Sequence, residues 1–199
     1  MNPNELLCFA AQALERVGVE YVVAGSVASM YYGEVRETHD VDIVVKLRED
    51  QVYALKSSFP EKDFYFDETM ALDAVRQKRM FNVIHIPSAL KIDFVVSKGQ
   101  PFDKRQFQRR RRLPVIADQK VYFASPEDVI LAKLDFYKKG SSDKHLRDVA
   151  GILKISGDEV DRTYVSEWAE RLEVADVWEA VLQRVEQRAG AGGKGEEGA

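Results

Sequence analysis

The order of hydrophobic and polar residues at the start of the chain predicts an alternation of helices and strands. Residues 4–17 carry apolar side chains at a spacing of three or four, which is typical of an amphipathic helix. Residues 19–24 are rich in Val and Tyr and predict a strand. A short helix over 26–33, ending at Gly33, and a second strand over 39–47 follow.

The middle of the chain predicts a β-hairpin. The segments "MFNVIHI" and "ALKIDFVV" are both rich in β-branched and aromatic residues. Only Pro87 and Ser88 separate them, which favours antiparallel pairing through a tight turn. The other elements predicted in this region are helices over 48–59 and 67–79 and a strand over 120–124.

From Pro126 onward the pattern is helical, and it indicates four helices up to residue 188. The sequence therefore predicts an α+β protein with a mixed N-terminal part, 1–124, and a helical C-terminal part, 125–188. Residues 189–199 have no apolar side chain larger than Ala, which predicts a disordered tail.

Composition narrows the class of protein without defining its function. The chain has 199 residues, of which 45% are apolar, and a net charge of −4, so it has no overall basic field for nucleic acid. Cys8 is the only cysteine, which excludes an intrachain disulfide and a thiol-based zinc site. No apolar run approaches the roughly 20 residues of a membrane span, and we expect a cytoplasmic protein with no membrane partner.

Two aspartates interrupt the second predicted strand, "DVDIVV". Asp40 and Asp42 are two residues apart, so their side chains share one face of the strand. Neighbouring carboxylates repel unless a cation lies between them, and Mg²⁺ or Mn²⁺ prefers such oxygen ligands. Asp93 lies in a second apolar strand and can join this cluster if the two strands pair. Three carboxylates can hold two ions, which is an arrangement suited to in-line phosphoryl displacement.

The first predicted strand ends at Gly25-Ser26, immediately before a helix. Glycine allows a phosphate to approach the backbone closely, and the serine can cap the helix. The free N–H groups at a helix N-terminus bind anions. The sequence thus predicts a triphosphate-binding turn beside the aspartates.

These motifs together resemble those of the nucleotidyltransferase superfamily, whose fold is shared with DNA polymerase beta. The matching residues are Gly25-Ser26, Asp40-Val41-Asp42 and Asp93, and the resemblance covers roughly residues 19–96. It implies a mixed β-sheet flanked by helices and a C-terminal helical part. It also implies metal-dependent transfer of NMP from an NTP to an acceptor hydroxyl, with release of pyrophosphate.

A finer resemblance is to the bacterial branch that contains abortive-infection toxin-type nucleotidyltransferases. The further matches are Ala28, Gly33, Arg36 and Thr38, and, in the helical part, Lys133 and Arg147-Asp148. One departure is the gap of 13 residues between Ser26 and Asp40, which is at the long end of the family range.

The resemblance implies a role for each matching residue. Asp40, Asp42 and Asp93 would be the catalytic metal ligands; Gly25, Ser26, Arg36, Thr38 and Lys133 would bind the nucleotide; Arg147 and Asp148 would support the site. Alternatives remain open for three of them. Arg36 would equally suit a structural salt bridge, Lys133 a solvated helix surface, and Asp148 a local ion pair.

The acceptor is not indicated by any motif. The resemblance implies RNA, tRNA included, a protein hydroxyl or a small molecule, and the toxin branch adds an antitoxin partner. The basic segment 103–112 fits either a polynucleotide contact or a solvated surface. The alternative to an enzyme is a degenerate nucleotide-binding or interaction protein that keeps the fold.

Overall fold

The computed structural model describes residues 1–192, and residues 193–199 lie outside the described chain. The fold is α+β, as predicted, with a seven-stranded mixed sheet flanked by helices. The strands are β1 (Tyr21–Val23), β2 (Asp40–Val45), β3 (Phe64–Phe66), β4 (Met80–His85), β5 (Leu90–Val96), β6 (Arg111–Ile116) and β7 (Gln119–Phe123). The helices are α1 (Pro3–Val17), α2 (Gly25–Tyr32), α3 (Glu49–Ser57), α4 (Glu68–Gln77), α5 (Pro101–Arg109), α6 (Pro126–Gly140), α7 (Asp143–Ser156), α8 (Arg162–Arg171) and α9 (Ala175–Gly192).

The chain forms two compact units. The sheet unit contains Met1–Ala28 and Glu37–Ser125, and the helical unit contains Ser29–Arg36 and the chain from Pro126 onward. The described part of the predicted disordered tail, 189–192, forms the last turn of α9, and the remainder lies outside the described residues. No helix within residues 1–192 is both long enough and apolar enough to cross a bilayer.

The strand order in the sheet is β3-β4-β5-β2-β1-β7-β6. β4 and β5 pair antiparallel, which confirms the predicted hairpin. β2 pairs antiparallel with β1 and parallel with β5, so it lies at the centre of the sheet between them. Side chains two residues apart on β2 and β5 therefore form continuous rows on each face.

One face of these central strands forms the core of the sheet unit. Val41, Ile43 and Val45 of β2 have no exposed surface, and neither do Ile92 and Phe94 of β5. Helix α1 packs against β2 and β5, and its own Leu side chains are fully buried. Burying a side chain of this size contributes roughly 1.5–3 kcal/mol. Because side chains alternate along a strand, this packing directs Asp40 and Asp42 to the opposite face.

Two elements around the basic segment were not predicted. Helix α5 covers Pro101–Arg109, and the edge strand β6 begins at Arg111. The four successive arginines are therefore divided between the end of a helix and the start of a strand and do not share one helix. The three-residue strand β3 was also not predicted, because three residues are too few to establish an alternating pattern.

The helical unit has its own core, which includes Ile130, Val149, Val165 and Trp178, each at most 2% exposed. Its N-terminal segment packs closely on α7. A Cβ atom on Gly33 would lie 2.8 Å from the backbone nitrogen of Ile152, so only glycine fits at this position.

Candidate active site

The parallel pairing of β2 and β5 places the three predicted acids on one face of the sheet. Asp42 lies opposite Asp93, and Asp40 lies opposite Lys91. Neighbouring strands are about 4.8 Å apart, so the carboxylates of Asp42 and Asp93 project side by side. This is the strand pairing that a three-carboxylate site requires.

Lys91 is the cation of this face, and its role was not foreseen from the sequence. Its Nζ lies 3.1 Å from Oδ2 of Asp93 and 3.5 Å from Oδ1 of Asp40. The ammonium group therefore bridges two of the three acids. The available signal was the spacing in "KID", since residues 91 and 93 of one strand must share a face.

Asp93 is the most buried of the three acids, with 7% of its surface exposed. Burial raises the pKa of its carboxyl group, the Lys91 ammonium opposes this, and the charges of Asp42 and Asp40 add to the rise. Its Oδ1 is buried and has no hydrogen-bond partner within the described part of the chain. A buried acceptor without a partner is costly, and a bound cation would satisfy it.

The Gly25-Ser26 turn contacts Asp42 directly. The backbone N–H of Ser26 donates to Oδ2 of Asp42 over 3.3 Å. Gly25 has φ +58, and a Cβ built on it would lie 1.9 Å from the same oxygen. The glycine is therefore required both by its left-handed backbone and by the position of the Asp42 carboxylate. Helix α2 begins at this turn, which directs its first N–H groups toward the acid face, the face of the sheet that carries Asp40, Asp42 and Asp93.

Gly25→Ala should displace the Asp42 carboxylate in addition to straining the backbone. We expect a loss of about 1–3 kcal/mol of stability from the left-handed conformation and a further loss of function from the moved acid. Urea unfolding measures the first effect, and binding of a non-hydrolysable NTP measures the second.

Gly18→Ala is the matched control, because Gly18 also has a positive φ of 71, and no described residue other than its two chain neighbours lies within 4 Å of the place its methyl group would take. It should lose stability without losing nucleotide binding. Equal effects on binding in the two variants would contradict a steric role for Gly25.

Thr38 lies in the segment that leads into β2. Its hydroxyl donates to the backbone carbonyl of Asp40 over 3.2 Å. This contact fixes the segment next to the first acid. Whether Thr38 also binds a nucleotide stays a prediction.

The other predicted nucleotide-binding residues form a buried cluster in the helical unit. Asp148 accepts hydrogen bonds from Nε and Nη2 of Arg36 over 3.1 and 3.2 Å. It also accepts from Nζ of Lys133 over 2.6 Å. The side chains of Lys133 and Asp148 are only 5% and 8% exposed, so the solvated alternative for Lys133 is wrong.

The electrostatics of this cluster favour the charged form of Asp148. Burial would raise the pKa of its carboxyl group, but hydrogen bonds from Arg36 and Lys133 outweigh burial and hold the pKa below its usual range. Arg147 is exposed, so it is Asp148 of this pair that lies in the cluster. Whether Arg36 and Lys133 also bind a nucleotide stays a prediction.

Two arginines of the basic segment have structural contacts. Arg110 donates to the carboxylate of Glu20 over 3.1 Å and to the carbonyl of Phe107 over 2.8 Å. The guanidinium of Arg112 lies 5.4 Å from the centre of the Tyr122 ring, which is a cation–π distance. These contacts give two arginines of the basic segment a structural role that does not require nucleic acid.

The acid face fits a divalent cation in its chemistry. It supplies carboxylate oxygens, which Mg²⁺ and Mn²⁺ prefer, and the Oδ1 of Asp93 is an unpaired acceptor among the described residues. Across residues 1–192, however, no three His, Cys, Asp or Glu side chains converge closely enough to hold a metal ion. The carboxylates would have to turn toward one another, and the Lys91 ammonium lies between two of them.

Comparison with known proteins identifies the fold. No family model matches the sequence, and no curated protein matches it. An antigenic nucleotidyltransferase-like protein from Paracoccidioides brasiliensis aligns with a TM-score of 0.51 and 21% identity, over 76% of this chain and 74% of that one. JHP933 from Helicobacter pylori aligns with a TM-score of 0.50 and 13% identity, over 94% of this chain and 93% of that one. At these identities the likeness concerns the fold, and this chain accordingly has a nucleotidyltransferase-like fold.

Proposed function

We propose that this protein is a metal-dependent nucleotidyltransferase that transfers NMP from an NTP to an acceptor hydroxyl and releases pyrophosphate. The observation that carries the proposal is the pairing of Asp42 with Asp93 on one face of the sheet. The contact between the Gly25-Ser26 turn and Asp42 adds to it, because a phosphate-binding turn and an acid cluster then adjoin.

In this proposal each residue of the sheet unit has a distinct task. Asp40, Asp42 and Asp93 would hold two Mg²⁺ or Mn²⁺ ions, which supply charge neutralisation at the attacking and leaving oxygens. Gly25 and Ser26 would bind the β- and γ-phosphates at the N-terminus of α2. Asp93, the most buried acid, would orient the attacking hydroxyl. Positioning of this kind supplies most of the catalysis in phosphoryl transfer.

Arg36 and Lys133 would contact the triphosphate, and Asp148 would position their cationic groups. The support is that both side chains donate hydrogen bonds to the carboxylate of Asp148 in the helical unit. Thr38 would support the segment before the acids.

The proposed acceptor is a hydroxyl of RNA, with tRNA as one case, of a protein or of a small molecule. The resemblance to abortive-infection toxin-type enzymes favours the first two, and it also suggests an antitoxin partner and a cytoplasmic location. Lys104 and Arg105 of the basic segment are exposed and available to a polynucleotide.

A second candidate function is nucleotide binding without catalysis. The observation that favours it is the Lys91 ammonium, which neutralises part of the acid face without a metal ion. In a protein that had lost catalysis, the ion pairs of Lys91 would stay in place, because no metal ion would replace them.

Labelled nucleotides test the proposal. The purified protein is incubated with each α-³²P-labelled NTP and Mg²⁺ or Mn²⁺, alone and with total RNA. We expect the label on protein or RNA, with an equal amount of pyrophosphate released. The same reactions with γ-labelled NTP should leave the acceptor unlabelled, because the β- and γ-phosphates depart together.

The outcomes distinguish the candidate functions. Transfer of the γ-label would indicate a kinase reaction and overturn NMP transfer. Metal-dependent NTP binding without any transfer, with the acceptors tried, would favour the non-catalytic candidate. Absence of both labelling and NTP binding would exclude both functions.

A further inference from the structure

The position of Lys91 suggests a role in metal binding beyond that of a surface lysine. It lies on β5 two residues before Asp93 and directly opposite Asp40 of β2. Its side chain is 32% exposed, whereas the Asp93 side chain it contacts is 9% exposed. The ammonium therefore lies between the buried carboxylate of Asp93 and the exposed carboxylate of Asp40, whose side chain is 51% exposed.

The contacts of Lys91 leave the acid face only partly neutralised. Its Nζ approaches Oδ2 of Asp93 and Oδ1 of Asp40, while the carboxylate of Asp42 accepts a hydrogen bond from the backbone of Ser26. Oδ1 of Asp93 remains buried without a hydrogen-bond partner among the described residues. Among residues 1–192, one monovalent cation thus pairs with a face that carries three carboxylates.

A divalent ion and the Lys91 ammonium would compete for the same oxygens. A positive charge about 3–4 Å from two ligand carboxylates opposes the approach of a second cation, and partial burial weakens solvent screening. An incoming triphosphate adds negative charge beside Gly25-Ser26, which would offset this repulsion.

We propose that Lys91 is a positioning residue that holds Asp40 and Asp93 on the open face without metal and makes tight metal binding depend on the bound nucleotide. This inference rests on the proposed function. Lys91 would weaken binding of the free ion, and the negative charge of a bound triphosphate would offset that effect. The acid face therefore binds metal ions only weakly before a nucleotide is present.

Lys91→Met removes the charge and keeps most of the side-chain volume. We expect the variant to bind Mn²⁺ without nucleotide about tenfold more tightly than the wild type, or tighter still. Non-hydrolysable NTP should improve Mn²⁺ affinity strongly in the wild type and much less in the variant. Free Mn²⁺ is measured by its electron paramagnetic resonance signal, so the readout does not need turnover.

Two matched variants separate this effect from a general change in charge. Lys91→Arg keeps the positive charge and should retain the low metal affinity of the wild type. Lys46→Met removes a lysine that pairs with Glu20 over 3.0 Å and directly follows β2, at the end of the strand opposite to Asp40. It should also leave Mn²⁺ affinity unchanged. If Lys91→Met does not fold, Lys91→Gln replaces it in the same measurement.

Unchanged or weaker Mn²⁺ binding in both neutral Lys91 variants would overturn the inference and leave the proposed function standing. Tight nucleotide-independent binding in the wild type would do the same. Failure of every variant and of the wild type to bind Mn²⁺, with or without nucleotide, would overturn both this inference and the metal-dependent function.

Discussion

Asp42→Asn is expected to lower the rate of NMP transfer by about 10²- to 10⁴-fold. Metal ions contribute several kcal/mol to stabilising the transition state, and each 1.4 kcal/mol corresponds to a factor of about ten. An amide is a weak ligand for Mg²⁺ or Mn²⁺ and carries no charge. Its oxygen can still accept the Ser26 N–H, so the turn should keep its geometry. The measurement is the initial rate of α-label transfer at saturating NTP.

Stability should not fall in this variant, because the substitution removes one of three neighbouring negative charges. Thermal unfolding checks this point. Asp50→Asn is the matched control: Asp50 is an exposed residue of α3 that pairs with Arg48 outside the site. Its transfer rate should equal that of the wild type. A folded Asp42→Asn protein with the wild-type rate would show that the acid face does not carry the reaction.

The acid face could be predicted because its signal is local. Alternation with period two decides that Asp40 and Asp42 share a face, and the same rule applies to Asp93. The hairpin of β4 and β5 follows from two apolar runs separated by a short turn. Whether β5 then pairs beside β2 depends on packing between distant segments. From the sequence alone, this pairing could be named only as a requirement for Asp93 to join Asp40 and Asp42.

The contacts of the basic side chains could not be predicted, because they join residues far apart in the chain. Arg36 and Asp148 are separated by 112 positions, and their ion pair exists only in the folded helical unit. Lys91 is a different case. The face on which it lies was predictable, because it is two residues from Asp93 in the sequence. Its second partner, Asp40, follows from the register between β2 and β5. Long, flexible cationic side chains have many possible partners, and tertiary packing selects among them.

The two charge clusters differ in how their partners are arranged, and this predicts different responses to mutation. In the sheet unit one lysine pairs with two carboxylates on a partly exposed face. In the helical unit one buried carboxylate serves two cations. Removing an acid from the first cluster relieves repulsion, whereas removing the acid from the second leaves the buried Lys133 ammonium without that counter-ion.

Asp148→Asn is therefore expected to destabilise the helical unit by about 3–5 kcal/mol at pH 7, the usual cost of removing one partner from a buried ion pair. Both tryptophans of the chain, Trp168 and Trp178, belong to the helical unit and are nearly fully buried. Urea unfolding followed by tryptophan fluorescence therefore reports on this unit.

The destabilisation should also depend on pH. Because the folded-state pKa of Asp148 is lowered, its contribution is fully present above its ordinary pKa of about 4. The contribution decreases as the pH falls from there through the folded-state pKa. The stability difference between wild type and Asp148→Asn should accordingly shrink as the pH falls below about 4. A difference that grew in this acid range would contradict the assigned charge state.

Asp135→Asn provides the comparison within the same unit, since Asp135 pairs with Lys139 on the exposed side of α6. Exposed pairs of this kind contribute about 0–1 kcal/mol, so its cost should be several-fold smaller. Adding Lys133→Met to Asp148→Asn removes the buried ammonium that lost its carboxylate. The double variant should be more stable than the sum of the single costs predicts, because the two residues are coupled. Additive costs, or equal costs for Asp148→Asn and Asp135→Asn, would mean that the buried pair does not stabilise the unit.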